Sequence, residues 1–422
     1  MTTLVILVAP AFADARGTLS RAEMVARALT LSGGPAERRA AMETAARLRR
    51  RLPISNPELS IELEGAPQPF SGREYTRRLR LEQELDLRGQ RGARQQVGMA
   101  SANLVEREAV AREQAIAAGV DEAVGKWLVA RRRTVLLEPI RERAHALRHK
   151  ADTARQRETL AGFDSRLLQA EALGRESEWI EARRELEAAE AELRIWTGLP
   201  EEDSLSLQDD LDALPWRCSA DSLMARAREF RPDLARAAAA ESLAAARLRF
   251  EQSVARANPR IGISAGRERL SLDGPFPSGE LSDLDNFVGL DFTMPLPIFP
   301  ADPSGTAQAS AELAQARAER TVLEREMRRE VAVACAAIGR GQERKRAIQQ
   351  AAATAGGDLE LVEQAYRGGR IPLEQYLTLT DRLIRLQLEV VEATGTVEAA
   401  RNALVSATGL SREELQRQLE TP

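Results

Sequence analysis

The sequence predicts a mainly α-helical chain with a small membrane β part, written as two copies of one unit: a helix, a β-hairpin and a long helical hairpin. Three observations predict this. Ala, Leu, Arg and Glu dominate while aromatics make up only 4%, a bias toward long helices packed through small side chains. Four short segments alternate apolar and polar residues with period two, the signature of half-buried strands. The order of segments then recurs about 200 residues later, as in an internal duplication.

Taken from the start, Thr3 to Ala9 is a short apolar run, followed by Ala11, Phe12 and Ala13 before Asp14. That pattern reads as a hydrophobic region and an A-x-A cleavage site, which assigns 1–13 to a signal peptide. The basic region that should precede it is missing, which suggests a start upstream of Met1. No later segment offers about 18 unbroken apolar residues, so no helical membrane span is expected. Any membrane part must be made of strands.

The first repeat covers 18–199, with strands at about 57–64 and 76–87 and a helical hairpin at about 93–198. Leu59, Ile61 and Leu63 alternate with Glu58, Ser60, Glu62 and Glu64; Leu79, Leu81, Leu85 and Leu87 alternate with Arg78, Arg80, Glu82, Glu84 and Asp86. The long helix carries Pro139, which should kink it or mark a packing adjustment. An irregular inter-repeat segment, 200–218, leads to a helix from about Ser219.

The second repeat covers 219–410, with strands at about 259–268 and 286–297 and a hairpin at about 304–409; 411–422 is a C-terminal tail. Ile261, Ile263 and Ala265 form one apolar edge, and Val288, Leu290, Phe292 and Met294 oppose Gly289, Asp291 and Thr293. Pro295 and Pro297 fall where a ladder should end. The span 304–371 has no proline and reads as one helix, roughly 100 Å long at ~1.5 Å per residue. The duplication shows in detail where Asn56-Pro57-Glu58-Leu59-Ser60-Ile61 recurs as Asn258-Pro259-Arg260-Ile261-Gly262-Ile263. Likewise Thr197-Gly198-Leu199 recurs as Thr408-Gly409-Leu410.

Four strands cannot close a barrel, since the smallest closed barrels use about eight. An open edge in lipid leaves backbone N–H and C=O groups without partners. Sister copies must supply the missing strands. A wet, charged inner face made of Glu62, Glu64, Arg80, Glu82, Glu84 and Asp291 suits a lumen wider than eight strands allow. Three chains, giving a twelve-stranded barrel on a twelve-helix tunnel, fit best.

Three stretches carry a family resemblance: Asn56-Pro57-Glu58-Leu59 followed by 85–94, 288–290 through 295–299, and Ala365-Tyr366-Arg367-Gly368-Gly369-Arg370. On these the chain resembles the TolC-like outer-membrane efflux proteins, and looks closest to the branch that accompanies heavy-metal (cation) efflux pumps. The resemblance implies a homotrimeric channel subunit in the cell outer membrane, in contact with its lipid and with a large periplasmic portion. It also implies a periplasmic adaptor and, through it, an inner-membrane pump as partners, with metal ions or small toxic compounds as cargo. The alternatives are a periplasmic adaptor, or a soluble coiled-coil scaffold protein.

Under the resemblance, the two hairpin tips form the adaptor-docking surface: Gly162, Phe163 and Asp164 in the first repeat, and Tyr366, Gly368, Gly369 and Arg370 in the second. Setting Tyr366 and Gly369 on the family pattern places Gln375 and Thr378 where a ring of carboxylates often narrows the tunnel. The sequence departs from that pattern, with Glu374 and Asp381 nearby as further constriction candidates.

Other functions lack their chemistry. With 60 basic and 64 acidic residues and a formal net charge of −4, there is no basic stripe for nucleic acid. No phosphate-cradling glycine loop, nucleophile elbow or catalytic His/Cys/Asp spacing occurs, so an enzyme and a cofactor are not expected. His145 and His149 share a helical face, but the surrounding Arg141 to Lys150 is basic and completes no coordination shell; no metal site is expected. Cys218 and Cys335 read as two small buried apolar residues. An oxidising compartment permits a disulfide, but nothing in their spacing argues for one.

Overall fold

The computed structural model describes residues 19–50, 56–66, 74–156, 162–201, 205–207, 211, 216–255, 258–272, 281–294, 304–353 and 355–419. The expected signal peptide, Pro295 and Pro297 lie outside these residues. In chain order the elements are α1 Arg21–Leu31, α2 Gly34–Arg50, β1 Glu58–Ala66, β2 Glu74–Glu84, α3 Gln90–Gln156 and α4 Gly162–Thr197. The second half follows with α5 Ala220–Phe230, α6 Pro232–Val254, β3 Arg260–Leu272, β4 Leu281–Thr293, α7 Ser304–Ala352, α8 Ala355–Arg367, α9 Leu373–Thr408 and α10 Arg412–Leu419. The fold is mainly α with one small sheet.

Two compact units divide the chain. One comprises Met1–Arg39, Glu108–Ala235 and Val322–Pro422, the other Ala40–Arg107 and Arg236–Thr321. Each draws on both repeats, so compactness cuts across the duplication.

The second of these units holds the sheet, an antiparallel array in the order β1-β2-β3-β4. Hairpins join β1 to β2 and β3 to β4, and β2 meets β3 with Leu81 opposite Ile263 and Leu79 opposite Ala265. The second strand stops at Glu84, short of the expected 87. There the chain turns away: Leu85 N–H donates to Pro259 O at 2.9 Å. The Asp86 carboxylate accepts from the N–H groups of Gln90 and Arg91, both at 2.8 Å. A carboxylate on the free N–H groups of a first turn is the usual way a helix is started.

The helical unit buries several apolar clusters. Trp216, Leu223, Met327, Val331, Ile338, Leu404 and Leu415 form one, and Met24, Val120, Val124, Trp127 and Leu193 another. Smaller clusters surround Leu168 with Leu373 and Tyr376, and Leu137 with Ile140 and Ile384. Close helix approach is built in by small residues: a Cβ on Gly341 would meet Val397 Cγ2 at 2.9 Å.

One expectation about the helices is corrected. The span 304–371 is not one helix but α7 and α8, which end at Ala352 and begin at Ala355. No proline marks the break; Gly356 and Gly357, weak helix formers at about 1 kcal/mol each relative to Ala, lie in the first turn of α8. Pro139, in contrast, sits inside an uninterrupted α3. Its ring removes one backbone hydrogen bond, but Leu137 and Ile140 on either side are buried against Ala182 and Ile384. Packing holds the helix through the lesion.

The cysteines are a second correction. Cys218 and Cys335 form a disulfide with a Cα–Cα distance of 5.4 Å across a sequence separation of 117. Both side chains pack on the Trp216 cluster. The pairing brings the segment before α5 onto α7, a contact that linear spacing cannot show.

Candidate functional site

The sheet sorts its side chains by parity. On one face lie successive cross-strand rows, Leu59–Leu81–Ile263–Leu290 and Ile61–Leu79–Ala265–Val288. These apolar side chains are open: Leu63 is 73% exposed, Val288 82% and Leu290 75%. A soluble sheet would cover such a face, since each buried side chain of this size contributes about 1.5–3 kcal/mol. The outer strands β1 and β4 each have one unpaired edge within the chain.

The other face carries every expected lumen residue: Glu62, Glu64, Arg80, Glu82, Glu84 and Asp291. Arg78 Nη1 donates to Glu62 Oε2 at 3.2 Å. The Arg80 guanidinium lies 3.5 Å from Glu82 and 3.6 Å from Asp291, and Asn258 Nδ2 donates to Glu84 Oε1 at 2.9 Å. Gly266 admits the Phe287 ring on this face, for an added Cβ would meet that ring at 2.4 Å. The polar face is thus a cross-linked charge lattice, the apolar face a bare one.

In the helical unit, the second-repeat turn is closed by its own backbone. Gly369 N–H donates to Tyr366 O at 3.0 Å and Arg370 N–H to Ala365 O at 2.8 Å, with Gly369 at φ +69°. That is the glycine-dependent stop of an α-helix. The Tyr366 ring stacks on Tyr376 at 4.7 Å between centroids. Burial pushes the Tyr366 phenol up, and the charge of Asp164 adds to it. Asp164 therefore lies near Tyr366, linking residues of the two expected tips. Gly162 and Asp164 sit in the first turn of α4, with the side chain of Phe163 and residues 157–161 outside the described set. Gly368 and Arg370 are exposed.

Among the constriction candidates, Glu374, Gln375 and Thr378 are exposed on α9, and Thr378 Oγ1 donates back to Glu374 O at 2.9 Å. Asp381 is tied down instead. It accepts from Arg175 Nη2 at 3.1 Å and pairs with Arg385 at 2.8 Å. Arg175 is buried and also donates to Glu171 at 2.8 Å and Glu178 at 2.9 Å. Burial alone would lower its pKa, but Glu171, Glu178 and Asp381 raise it.

Sequence reading missed two charged centres here. Glu171, Arg175 and Glu178 follow helical spacing and were available as a pattern; Asp381, more than 200 positions away, was not. The second centre is Glu398, 2% exposed, which accepts from Arg21 at 2.9 Å and Arg412 at 2.7 Å. Arg412 and Arg401 also lie over the Trp216 ring. A lone glutamate within an apolar helix face was the only signal. His145 Nε2 contacts Glu176 at 2.7 Å, and no group of three or more metal-ligating side chains occurs among the described residues.

Residues 223–410 match the family model described as Outer membrane efflux protein. No curated protein matches the chain. Among solved structures, the chain is similar to a membrane protein from Pseudomonas aeruginosa, with TM-score 0.71 and 19% identity over 92% of this chain and 93% of that one. It is similar to VceC from Vibrio cholerae, with TM-score 0.69 and 16% identity over 92% and 96%. CusC gives TM-score 0.69 and 15% identity over 93% and 92%.

Proposed function

We propose that this chain is an outer-membrane efflux protein, one of three copies that together form a channel to the cell exterior. One observation carries the reading: a four-stranded sheet with an exposed apolar face, a charged opposite face and two free edges. In lipid the edges demand further strands. Lateral pairing with two sister sheets satisfies them and turns the apolar face to hydrocarbon and the charges to water. The match of the second half to the efflux family and the fold shared with solved outer-membrane proteins support the same reading.

The helices then form the periplasmic part, and the turns around Asp164 and Gly369 are the docking surface for a periplasmic adaptor and its inner-membrane pump. Exposed Glu374, Gln375 and Thr378 face the conduit near these turns. The finer placement beside the heavy-metal pumps rests on the sequence resemblance, because CusC shares the fold at the same level as VceC. A duct of this kind performs no bond chemistry and calls for no cofactor.

Crosslinking of membrane fractions combined with single-channel recording tests the proposal. The expected result is a detergent-dependent three-chain species and stepwise conductance in planar bilayers. A water-soluble monomer or dimer without conductance would reject it.

A further inference from the structure

We infer that the hairpin end of the sheet's apolar face binds the phosphate groups of anionic lipid. This rests on the sheet being a barrel wall, and it adds a specific ligand to that wall. Beyond the two apolar rows, the same face continues as Leu63–Arg77–Arg267–Asn286 and then Tyr75–Arg269–Leu284. Three arginines therefore sit beside the apolar rows on the side that meets lipid.

Among the described residues, no carboxylate shares their face of the sheet at this end. Arg77 lies directly opposite Arg267 in the register, and like charges in that position repel. The strand carboxylates at this end, Glu64, Glu74, Glu268, Asp283 and Asp285, fall on the opposite face by register. Among the described residues, none of the three arginines has an ion-pair partner. Arg77 instead lies 5.1 Å from the Tyr75 ring centre, and Arg77 and Arg267 are exposed. A sheet that pairs Arg78, Arg80 and Arg260 with carboxylates on one face leaves these three without any on the other.

An external anion resolves the repulsion, and its position identifies it. Guanidinium groups grip phosphate through paired N–H donors. Arginines and an aromatic ring at the border of a lipid-facing apolar band lie where hydrocarbon gives way to headgroups. A free anion would have no need of the apolar rows beside it.

The test offers the detergent-purified full chain to vesicles of phosphatidylcholine, and to vesicles of equal parts phosphatidylcholine and phosphatidylglycerol, with insertion read by flotation and protease protection. The chain should prefer the anionic vesicles. Arg77→Gln with Arg267→Gln should cut that preference roughly thirty-fold, about five-fold for each arginine. Arg77→Lys with Arg267→Lys should keep most of it. Arg247→Gln with Arg249→Gln, an equal charge loss on α6, should keep all of it. Equal insertion into both vesicles, an undiminished preference in the glutamine variant, or loss of preference on adding inorganic phosphate would each overturn the lipid assignment while leaving the channel intact. Failure to insert into either vesicle would remove the channel reading and this inference with it.

Discussion

In the helical unit, Glu398 is sealed from water and meets Arg21 and Arg412 at 2.9 and 2.7 Å; on the sheet, Leu63, Val288 and Leu290 lie open. The two regions solve opposite problems. Burial of a charge is tolerable only when partners are fixed in place, and the helices supply all of them from one chain. The sheet leaves its apolar face and both edges unsatisfied. The helical unit closes its buried charges within one chain, whereas under the proposed function the sheet draws its stability from lipid and sister strands. Mutations should therefore separate the regions by whether their effects need a membrane to be seen.

The largest effect is expected from a charge on the open apolar face. Leu81→Arg places a guanidinium in the middle of the row Leu59–Leu81–Ile263–Leu290, at about 2–4 kcal/mol per chain if the row lies at mid-membrane. In the proposed trimer three copies multiply the cost, so the three-chain species should vanish from membranes while the helices of detergent-solubilised chain keep their circular dichroism. Glu62→Gln on the charged face should change stability by less than about 0.5 kcal/mol. Equal trimer recovery for both variants would erase the distinction between the faces.

Next in size is Glu398→Gln, which removes the buried carboxylate shared by Arg21 and Arg412. Breaking a buried pair of this kind costs about 3–5 kcal/mol, measurable by urea unfolding of the detergent-solubilised chain without any membrane. The same group predicts acid sensitivity. Burial alone would raise the Glu398 carboxyl, but Arg412 and Arg21 more than offset it and hold the pKa below normal. Its contribution is complete above the unfolded value of about 4.3 and drains as pH falls through the folded one. The glutamine variant should show a flatter stability profile across that window. A parallel profile would mean that other carboxylates carry the acid response.

Much of this was legible in advance, and the illegible parts share a cause. Alternation of Leu59, Ile61 and Leu63 with Glu58, Ser60 and Glu62 announces strand and face together, because period two is a local property. The break between α7 and α8 shows that absence of proline does not guarantee one continuous helix. Continuity of α3 through Pro139 was not local: it depends on Ala182 and Ile384. The same holds for the Cys218–Cys335 bridge, the Arg21–Glu398 pair and the tie between Arg175 and Asp381, all joined by packing of distant helices. Ala-rich helices show weak apolar periodicity, so their partners are the part of the fold that sequence conceals most.

The disulfide sharpens the comparison further. Its two ends lie in the helical unit, while the long loop it closes runs through β3 and β4; loss of such a link typically costs about 2–4 kcal/mol by releasing unfolded-chain entropy. Cys335→Ser, or reduction of the wild type, should lower the urea midpoint of the detergent-solubilised chain without altering vesicle insertion once folded. A loss of insertion equal to that of Leu81→Arg would show that the sheet depends on the helical unit.

A smaller effect than that of the disulfide belongs to the turn after α8. Gly369 holds φ +69° with open space around it, so Gly369→Ala meets no clash and incurs only the left-handed backbone cost of about 1–2 kcal/mol. That cost falls on a turn already held by two backbone hydrogen bonds and by the Tyr366–Tyr376 stack. Unfolding should therefore shift modestly while trimer recovery stays unchanged, and Gly369→Asn, a side chain that tolerates this conformation, should restore most of the loss. If the turn is the adaptor surface, the alanine variant should bind adaptor more weakly and the asparagine variant close to normally, because shape rather than the missing side chain is what the adaptor meets. A variant as stable as wild type would show that the turn relaxes out of the left-handed region, and that its geometry is not what the helix end imposes.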